Sequence, residues 1–389
     1  MRIHHIEIEG YRALRNVALD LEPLTVLIGP NGCGKSTFLD SFVLLAEAMG
    51  DALGRATIAR GGFSRMLSQG HGDTLRIRVE SEPLPWGRNR GDGESPVVYE
   101  LDLRQSGTGY AVYGEQLSQA RDHATGVPFR YLQRTAGHTA YFDASAGRLA
   151  PPDWAILPDE AALARVARND EAEFFRASLA GTRAYAPIGL DARSTLRQPQ
   201  TMQPGIVVPD PTGADLYSAL YRLRMDDEAT YGRLMDTLAA GFPNFKKLEF
   251  PIVAGGTVAL AWYETGTDGP LYANELSAGT LRFLHIATML LSPLPPPLLL
   301  LDEPEASFHP ELLLLLAELL KDAAERTQIV VATHSGPLIR WLEPKHVVTA
   351  DRTEEGTTLT RGDRQNLDKW LEDYGLDELW QLKILGARP

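Results

Sequence analysis

The chain has 389 residues, enough for one large domain or two ordinary ones, and with 44% hydrophobic and 23% charged residues it has the composition of a globular protein. Its net charge of −13 argues against a strong overall field that attracts nucleic acid, although it leaves a local basic patch open. The single cysteine, Cys33, excludes an intrachain disulfide and a cysteine-based metal site.

The first part of the chain is dominated by strand patterns. Strands are predicted at residues 2–9, 16–21 and 24–28, and a helix with one apolar side at residues 36–49. Four further stretches of strand character, separated by Gly, Pro and Asp clusters, predict an antiparallel meander at residues 75–80, 97–103, 110–113 and 129–142. A proline-rich connector is predicted at residues 149–158.

The remainder is predicted to be helical first and alternating afterwards. Helices are predicted at residues 160–167, 171–179, 215–223 and 228–240, with a loop at 198–211 and strand pattern at 250–263. After residue 274 a helix, an apolar strand (298–301), a helix (312–325) and a strand (328–332) alternate, which indicates a parallel α/β sheet. The apolar stretch 283–301 contains prolines and ends at two carboxylates, which does not fit a membrane span. Because no targeting segment is recognised either, we expect a cytoplasmic protein without membrane contact.

Residues 29–36 read Gly-Pro-Asn-Gly-Cys-Gly-Lys-Ser and match the P-loop pattern at each fixed position, between an apolar strand and a helix. Glycines let the backbone aim its N–H groups at phosphate oxygens, and the helix N-terminus adds a positive dipole end. Lys35 is predicted to reach the β- and γ-phosphates of a nucleotide, and Ser36 to ligate Mg²⁺. The predicted nucleotide contacts from this loop are Asn31, Gly32, Cys33, Gly34, Lys35, Ser36 and Thr37.

The apolar strand at 298–301 is followed by Asp302 and Glu303, which we call the Walker B pair. Beside a P-loop, such a strand brings Asp302 close to the Mg²⁺. Glu303 is then positioned to orient or deprotonate the attacking water. A buried strand that ends in a solvated acidic turn is the alternative, and the P-loop disfavours it.

Residues 275–280, Glu-Leu-Ser-Ala-Gly-Thr, resemble the signature motif of ABC-type ATPases, and residues 333–335, Thr-His-Ser, resemble their switch histidine. The four motifs follow one another in the ABC order. The chain resembles the RecF/SMC/OLD-like group of ABC-type AAA ATPases, also in Tyr-Arg-Ala-Leu at 11–14, Glu-Pro-Glu at 303–305 and Phe-His-Pro at 308–310. This resemblance covers residues 1–50 and 270–340.

The resemblance implies an α/β fold, a P-loop ABC-type head with a mixed and parallel sheet core, an antiparallel β meander and a helical insertion. We expect one head over residues 1–389, with an N-terminal lobe at 1–155, the helical insertion at 156–248 and a C-terminal lobe at 249–389. Residues 64–274 would then separate two halves of one nucleotide-binding unit.

The resemblance also implies a head-to-head homodimer with two ATP molecules at its interface. Ser277 and Gly279 of one subunit would close over the nucleotide of the other, and Ser277 would also cap its own helix. His334 would contact the γ-phosphate in its own subunit, joining Glu303 and Lys35 in the catalytic set; a core histidine is the alternative. Gln69 is a candidate Mg²⁺ ligand and Arg12 a candidate nucleotide contact, each with an ordinary surface role as the alternative.

Two groups of arginines are candidates for DNA contact, although a solvated or ion-paired surface is the favoured interpretation. They are Arg55, Arg60, Arg65, Arg76 and Arg78 near the P-loop half, and Arg183, Arg193 and Arg197 in the helical insertion.

The sequence therefore predicts an ATP-hydrolysing, ATP-gated dimeric switch that acts on DNA or on an effector protein, in anti-phage defence or DNA repair. The alternative is an ATP-bound regulator that does not hydrolyse ATP and sequesters a toxin or nuclease. About fifty residues follow His334, too few for the TOPRIM domain of OLD-type nucleases, so no nuclease is expected in this chain.

Overall fold

The structure is a computed structural model that describes residues 1–84, 95–120, 128–136, 138–167 and 169–386. Within these ranges the chain forms twenty strands and eleven helices. In chain order the strands are β1 (Ile3–Tyr11), β2 (Leu14–Asp20), β3 (Leu24–Ile28), β4 (Thr74–Ser81), β5 (Val97–Ser106), β6 (Gly109–Gln119), β7 (Phe129–Thr135), β8 (His138–Asp143), β9 (Arg148–Ala150), β10 (Arg183–Tyr185), β11 (Gln200–Thr201), β12 (Phe245–Glu249), β13 (Ile252–Ala254), β14 (Thr257–Val258), β15 (Ala261–Glu264), β16 (Leu271–Tyr272), β17 (Leu298–Asp302), β18 (Gln328–Thr333), β19 (Val347–Thr353) and β20 (Gly356–Arg361). The helices are α1 (Lys35–Met49), α2 (Leu53–Ala59), α3 (Phe63–Met66), α4 (Asp170–Ala180), α5 (Leu216–Asp226), α6 (Glu228–Gly241), α7 (Ala278–Leu291), α8 (Glu311–Arg326), α9 (Gly336–Ile339), α10 (Asp368–Leu371) and α11 (Leu376–Gln381).

Eight strands form an antiparallel sheet in the order β2-β1-β4-β5-β6-β7-β8-β9. The predicted meander is therefore confirmed, and it extends the sheet that β1 and β2 begin. Its apolar set alternates along each strand, as in β4, where Leu75, Ile77 and Val79 are fully buried. The sheet packs this face against α1 and α4, which builds the first hydrophobic core.

Six strands form the second sheet, in the order β10-β17-β18-β3-β19-β20. All neighbours are parallel except the last pair, in which β20 returns antiparallel to β19. The runs predicted as buried strands, β3, β17 and β18, lie at its centre, and their side chains alternate between the two hydrophobic cores. A parallel sheet covered on both faces explains why these strands are predominantly apolar.

Three strands of this sheet were not predicted. The strand β10 lies within the segment predicted as an insertion, residues 64–274, yet it is the edge strand of the nucleotide-binding sheet beside β17. The hairpin β19–β20 extends the opposite edge. The division of the chain at residues 155 and 248 stays a prediction.

One local prediction is wrong, and another holds with interruptions. The helix predicted at 160–167 is only a short 3-10 turn, Leu163–Arg165. The buried carboxylate of Glu115 accepts hydrogen bonds from the amides of Ala162 (2.5 Å) and Leu163 (2.8 Å), which draws this backbone onto the sheet and away from helical geometry. The strand pattern predicted at 250–263 is confirmed as three short strands, β13, β14 and β15, which turns separate. One turn lies at Gly255 and Gly256, which both have positive φ.

The last described residues form two short helices, α10 and α11, which pack on the head. Leu376, Leu379 and Trp380 are buried, and the Trp380 ring lies against Gly336, the first residue of α9. Among the helices that the structure describes, none combines the length and apolarity that crossing a bilayer requires.

Candidate nucleotide-binding site

The P-loop, residues 29–34, connects the end of β3 to the start of α1. A Cβ on Gly29 would lie 2.2 Å from the Ala350 carbonyl oxygen, so only glycine fits there. Gly34 has a φ of 109°, a conformation that L side chains rarely adopt. The hydroxyl of Thr357 at the start of β20 donates to the Cys33 carbonyl at 2.7 Å. The C-terminal hairpin therefore holds the loop in shape.

The predicted phosphate ligands of the loop fall into buried and exposed groups. Asn31, Gly32 and Ser36 are exposed, and no atom lies within 4 Å of the position of a Cβ on Gly32. The Lys35 side chain is buried, and its ammonium donates to the carbonyls of Gly29 (2.7 Å) and Pro30 (2.9 Å). These contacts hold the Lys35 ammonium against the first two residues of the loop. The remaining members, Cys33 and Gly34, are buried, and Thr37 is half-buried.

The carboxyl ends of three parallel strands meet beside this loop. Pairing of β17 with β18, and of β18 with β3, brings Asp302 next to Ala332 and Thr333 next to Ile28. In open α/β sheets this is the edge where ligands bind. Burial raises the pKa of Asp302; the nearby Ser36 hydroxyl and Lys35 lower it, and the Glu303 charge raises it further. The predicted Mg²⁺ ligands Ser36 and Asp302 are thus close together.

Glu303 turns out of β17 with a φ of 47°, which is uncommon for a residue other than glycine, and its N–H donates to the Ala332 carbonyl at 2.8 Å. The turn directs its carboxylate toward His334, whose Nδ1 lies 3.1 Å from Oε1 of Glu303. Both side chains are partly exposed. The structure therefore pairs the two residues that were predicted to act at the γ-phosphate, and His334 is not a core histidine.

The signature motif begins the helix α7. Ser277 is exposed and is the N-cap of this helix, accepting a hydrogen bond from the Thr280 amide at 3.0 Å. A Cβ on Gly279 would lie 2.6 Å from the Ser307 carbonyl, so α7 packs directly on the loop that follows the Walker B pair. Among the described residues, the Ser277 hydroxyl makes its hydrogen bonds within its own helix. Its helix N-terminus is open for an anion.

Two arginines hold this region together: Arg282, which was not predicted as a site residue, and Arg197, which was named only as a candidate for DNA contact. Arg282 on α7 donates to the carbonyl of Ala306 (3.0 Å), the hydroxyl of Ser307 (2.6 Å) and the carbonyl of Ile188 (2.7 Å). Arg197 donates to three carbonyls of the segment leading into the signature motif, those of Ala273, Asn274 and Leu276, at 2.9–3.2 Å. Their roles were not visible in the sequence because each depends on backbone carbonyls far away in the chain.

The segment after β10 lies beside the Walker B pair. Pro187 and Ile188 line a small cavity of about 20 Å³ together with Asp302 and Glu303. This segment carries no glutamine. Gln69, the predicted Mg²⁺ ligand, is instead exposed in a turn after α3, so its role stays a prediction.

Gln69 lines a different cavity, of about 480 Å³, together with Arg12, Arg65 and Arg352. Arg12 donates to Asp40 on α1 at 3.1 Å and has a φ of 48°. Its guanidinium is thus tied to the P-loop helix, and its contact with a nucleotide also stays a prediction.

Most of the arginines near the P-loop are engaged in ion pairs. Arg60 bonds Asp40 (2.6 Å) and Glu47 (2.6 Å). Arg76 pairs with Asp102 and Glu9, and Arg78 with Glu7, Glu80 and Glu100. This agrees with the favoured interpretation of an ion-paired surface, and it leaves these three side chains poorly suited to phosphate contact.

Comparison with protein families gives a match to residues 24–340 by the AAA domain family described as a putative AbiEii toxin of a type IV toxin–antitoxin system. The chain belongs to this AAA family. No curated protein sequence matches this AAA protein. Its fold is that of the head of SMC proteins, so the fold that the resemblance implied is confirmed.

Two solved structures of Smc heads have a similar fold. The Smc head bound to the C-winged helix domain of ScpA is 12% identical, with a TM-score of 0.56, and the match covers 92% of this AAA protein and 97% of that chain. The Smc head domain with an extended coiled coil, bound to the C-terminal domain of ScpA derived from Pyrococcus furiosus, is 12% identical with a TM-score of 0.54, covering 95% and 98%.

A divalent cation fits the residues present. Ser36 and Asp302 offer hard oxygen ligands at the end of the P-loop, and Mg²⁺ in such sites takes one or two protein oxygens together with phosphate oxygens and water. Within the described ranges, no group of three or more His, Cys, Asp and Glu side chains could hold a metal by itself.

Proposed function

We propose that this AAA protein binds ATP with Mg²⁺ at residues 29–37 and Asp302, and hydrolyses it with Glu303 and His334. The observation that carries the proposal is the meeting of the P-loop, the Walker B pair and the Glu303–His334 contact at one edge of the parallel sheet. Mg²⁺ would supply charge neutralisation on the phosphate oxygens.

Each residue has a separate part in this proposal. The exposed P-loop amides bind phosphate oxygens, and Lys35 turns its ammonium from the Gly29 and Pro30 carbonyls toward the β- and γ-phosphates. Glu303 orients the attacking water and accepts its proton. His334 contacts the γ-phosphate and holds the Glu303 carboxylate in place.

We further propose that two copies of the chain close over the nucleotides. Ser277, the N-cap of α7, is exposed, as a contact from a second copy requires. Two residues later, Gly279 packs on the chain's own loop after the Walker B pair, which fixes the position of the helix. A nucleotide held between two copies stabilises the dimer because it binds only the closed state well. This makes the protein an ATP-gated switch that acts on an effector protein or DNA. The family description favours a toxin–antitoxin setting over DNA repair.

The first experiment tests hydrolysis. Glu303→Gln should leave ATP binding intact and lower turnover by about 10²–10⁴-fold, since it removes the proposed base. Lys35→Ala should abolish ATP binding in calorimetry. Equal, measurable hydrolysis by wild type and Glu303→Gln would reject the catalytic role of Glu303. Absence of hydrolysis in both proteins, with ATP still bound, would favour the alternative, an ATP-bound regulator without turnover.

The second experiment tests the composite site by mixing inactive subunits. Lys35→Ala removes one P-loop, and Ser277→Arg blocks one signature. In a mixed dimer, one of the two sites combines an intact P-loop with an intact signature, so the mixture should regain hydrolysis that neither variant has alone. If the mixture stays as inactive as its components, or if Ser277→Arg is fully active as a monomer, the sandwich arrangement is wrong.

A further inference from the structure

Directly below the Glu303–His334 contact lies a second carboxyl group, Glu305, that the proposed chemistry does not use. Glu305 is only 8% exposed, although it stands two residues after the proposed catalytic base. Its Oε1 accepts a hydrogen bond from the Thr333 hydroxyl, one residue before His334. Its Oε2 has no hydrogen-bond partner among the described residues. A buried carboxyl in this position calls for an explanation, because burial of an ionised carboxylate costs free energy unless it is paired.

The Thr333 hydroxyl is bonded on both sides. It donates to Glu305, and it accepts a hydrogen bond from the Ser335 amide at 2.9 Å. The chain Glu305–Thr333–Ser335 therefore fixes the backbone on either side of His334. Because a hydroxyl has one proton, its donation to Glu305 leaves its lone pairs free for the Ser335 amide.

The loop that carries Glu303 is fixed from the same point. The Phe308 amide donates to the Glu305 carbonyl at 2.9 Å, and the Ala306 amide donates to the Glu303 carbonyl at 3.1 Å. Glu305 thus belongs to the compact turn that gives Glu303 its positive φ. The ends of β17 and β18 are joined twice, by Glu303 and His334 at the surface and by Glu305 and Thr333 beneath.

We propose that Glu305 is a positioning residue that sets the geometry of Glu303 and His334 through the hydroxyl of Thr333. The inference rests on the proposed ATP hydrolysis for its functional consequence. Burial raises the pKa of Glu305, and the Thr333 hydrogen bond opposes this only in part. The neighbouring titratable groups are Glu303, whose charge raises the pKa further, and His334, which lowers it.

Four variants separate the hydrogen bond from the volume of the side chains. Glu305→Gln and Thr333→Ser keep an acceptor and a hydroxyl, whereas Glu305→Leu and Thr333→Val remove them with little change in size. We expect the first two to stay within about threefold of wild-type kcat, and the last two to lose about 10- to 100-fold in kcat with the affinity for ATP unchanged. Glu305→Leu combined with Thr333→Val should lose no more than either alone, because both act through one contact.

A control variant measures what the loss of a buried threonine hydroxyl costs in stability and kcat at another position. Thr57 on α2 is buried, and its hydroxyl donates to the Leu53 carbonyl at 2.9 Å, away from the Walker B pair. Thr57→Val should reduce stability as Thr333→Val does and leave kcat at the wild-type value. If Thr333→Val and Glu305→Leu match this control in kcat while turnover still depends on Glu303, the positioning role is refuted and the proposed hydrolysis stands.

Amide hydrogen exchange at Ser335 tests the same contact without any turnover. Glu305→Leu releases the Thr333 hydroxyl to rotate, so the exchange rate of the Ser335 amide should rise about tenfold, whereas Glu305→Gln should leave it near the wild-type rate. Unchanged exchange in Glu305→Leu would overturn the inference even if the protein proves not to hydrolyse ATP. Failure of the proposed function is recognised separately, by wild-type turnover that does not depend on Glu303.

Discussion

The close approach of Gly279 to Ser307 makes Gly279→Ala a test of how the signature helix is seated. In a helix, alanine is favoured over glycine by roughly 1 kcal/mol, so propensity alone predicts a gain in stability. The structure predicts the opposite sign, because the added Cβ would lie 2.6 Å from the backbone oxygen of Ser307. Overpacking of this kind costs about 1–3 kcal/mol, which leaves a net loss of up to about 2 kcal/mol.

Gly232 in α6 provides the matched control, since no atom lies within 4 Å of a Cβ placed there. Gly232→Ala should raise the free energy of unfolding in urea by roughly 1 kcal/mol, and Gly279→Ala should lower it. The Cβ that Gly279→Ala adds should also push α7 away from Ser307. This shift should reduce kcat for ATP hydrolysis without weakening nucleotide binding at the P-loop. If Gly279→Ala gains as much stability as Gly232→Ala and keeps full turnover, the contact with Ser307 does not constrain the helix.

Three further outcomes are expected. Arg282→Met removes three hydrogen bonds from the loops beside the Walker B pair, so kcat should fall by about 10- to 100-fold with unchanged ATP affinity; equal loss of binding in calorimetry would contradict this. Thr357→Val leaves the Cys33 carbonyl without its hydroxyl donor, at a cost of about 1–2 kcal/mol, so the Kd for ATP should rise about 5- to 30-fold; an unchanged Kd would show that the hairpin does not shape the P-loop. Burial lowers the pKa of His285 to about 4 from its usual value of 6.5, so protonation favours the unfolded chain and wild type should lose about 3 kcal/mol of stability as pH falls from 6.5 to 4. His285→Gln should lack that slope in unfolding experiments, and an identical slope in both proteins would place the titration elsewhere.

The sequence predicted best the segments whose residue pattern matches their burial in the folded protein. The strands β3 and β17 are predominantly apolar because both faces of the sheet are covered, and the P-loop between β3 and α1 has its own residue pattern. The strand β10 was not predicted because its three residues, Arg183–Tyr185, are too few to show the alternation of apolar and polar residues that indicates a strand. Their conformation is decided by pairing with β17.

The candidate site shows the same limit. Glu303 and His334 could be named from motifs, but their 3.1 Å contact depends on the register between β17 and β18. Arg282 and Glu305 could not be assigned, since their partners are backbone carbonyls and a hydroxyl from other parts of the chain. Whether an arginine is free or ion-paired, as Arg60 is, likewise depends on partners that only the fold brings together.

The position of β3 has a consequence for how the protein is made. This strand is synthesised among the first residues, yet its two neighbours in the sheet are β18 and β19, and the Thr357 hydroxyl that holds Cys33 is 324 residues away. During translation the P-loop segment therefore leaves the ribosome long before the strands that complete it. A nascent chain should therefore not reach the full ATP affinity of the head until β18, β19 and Thr357 have emerged.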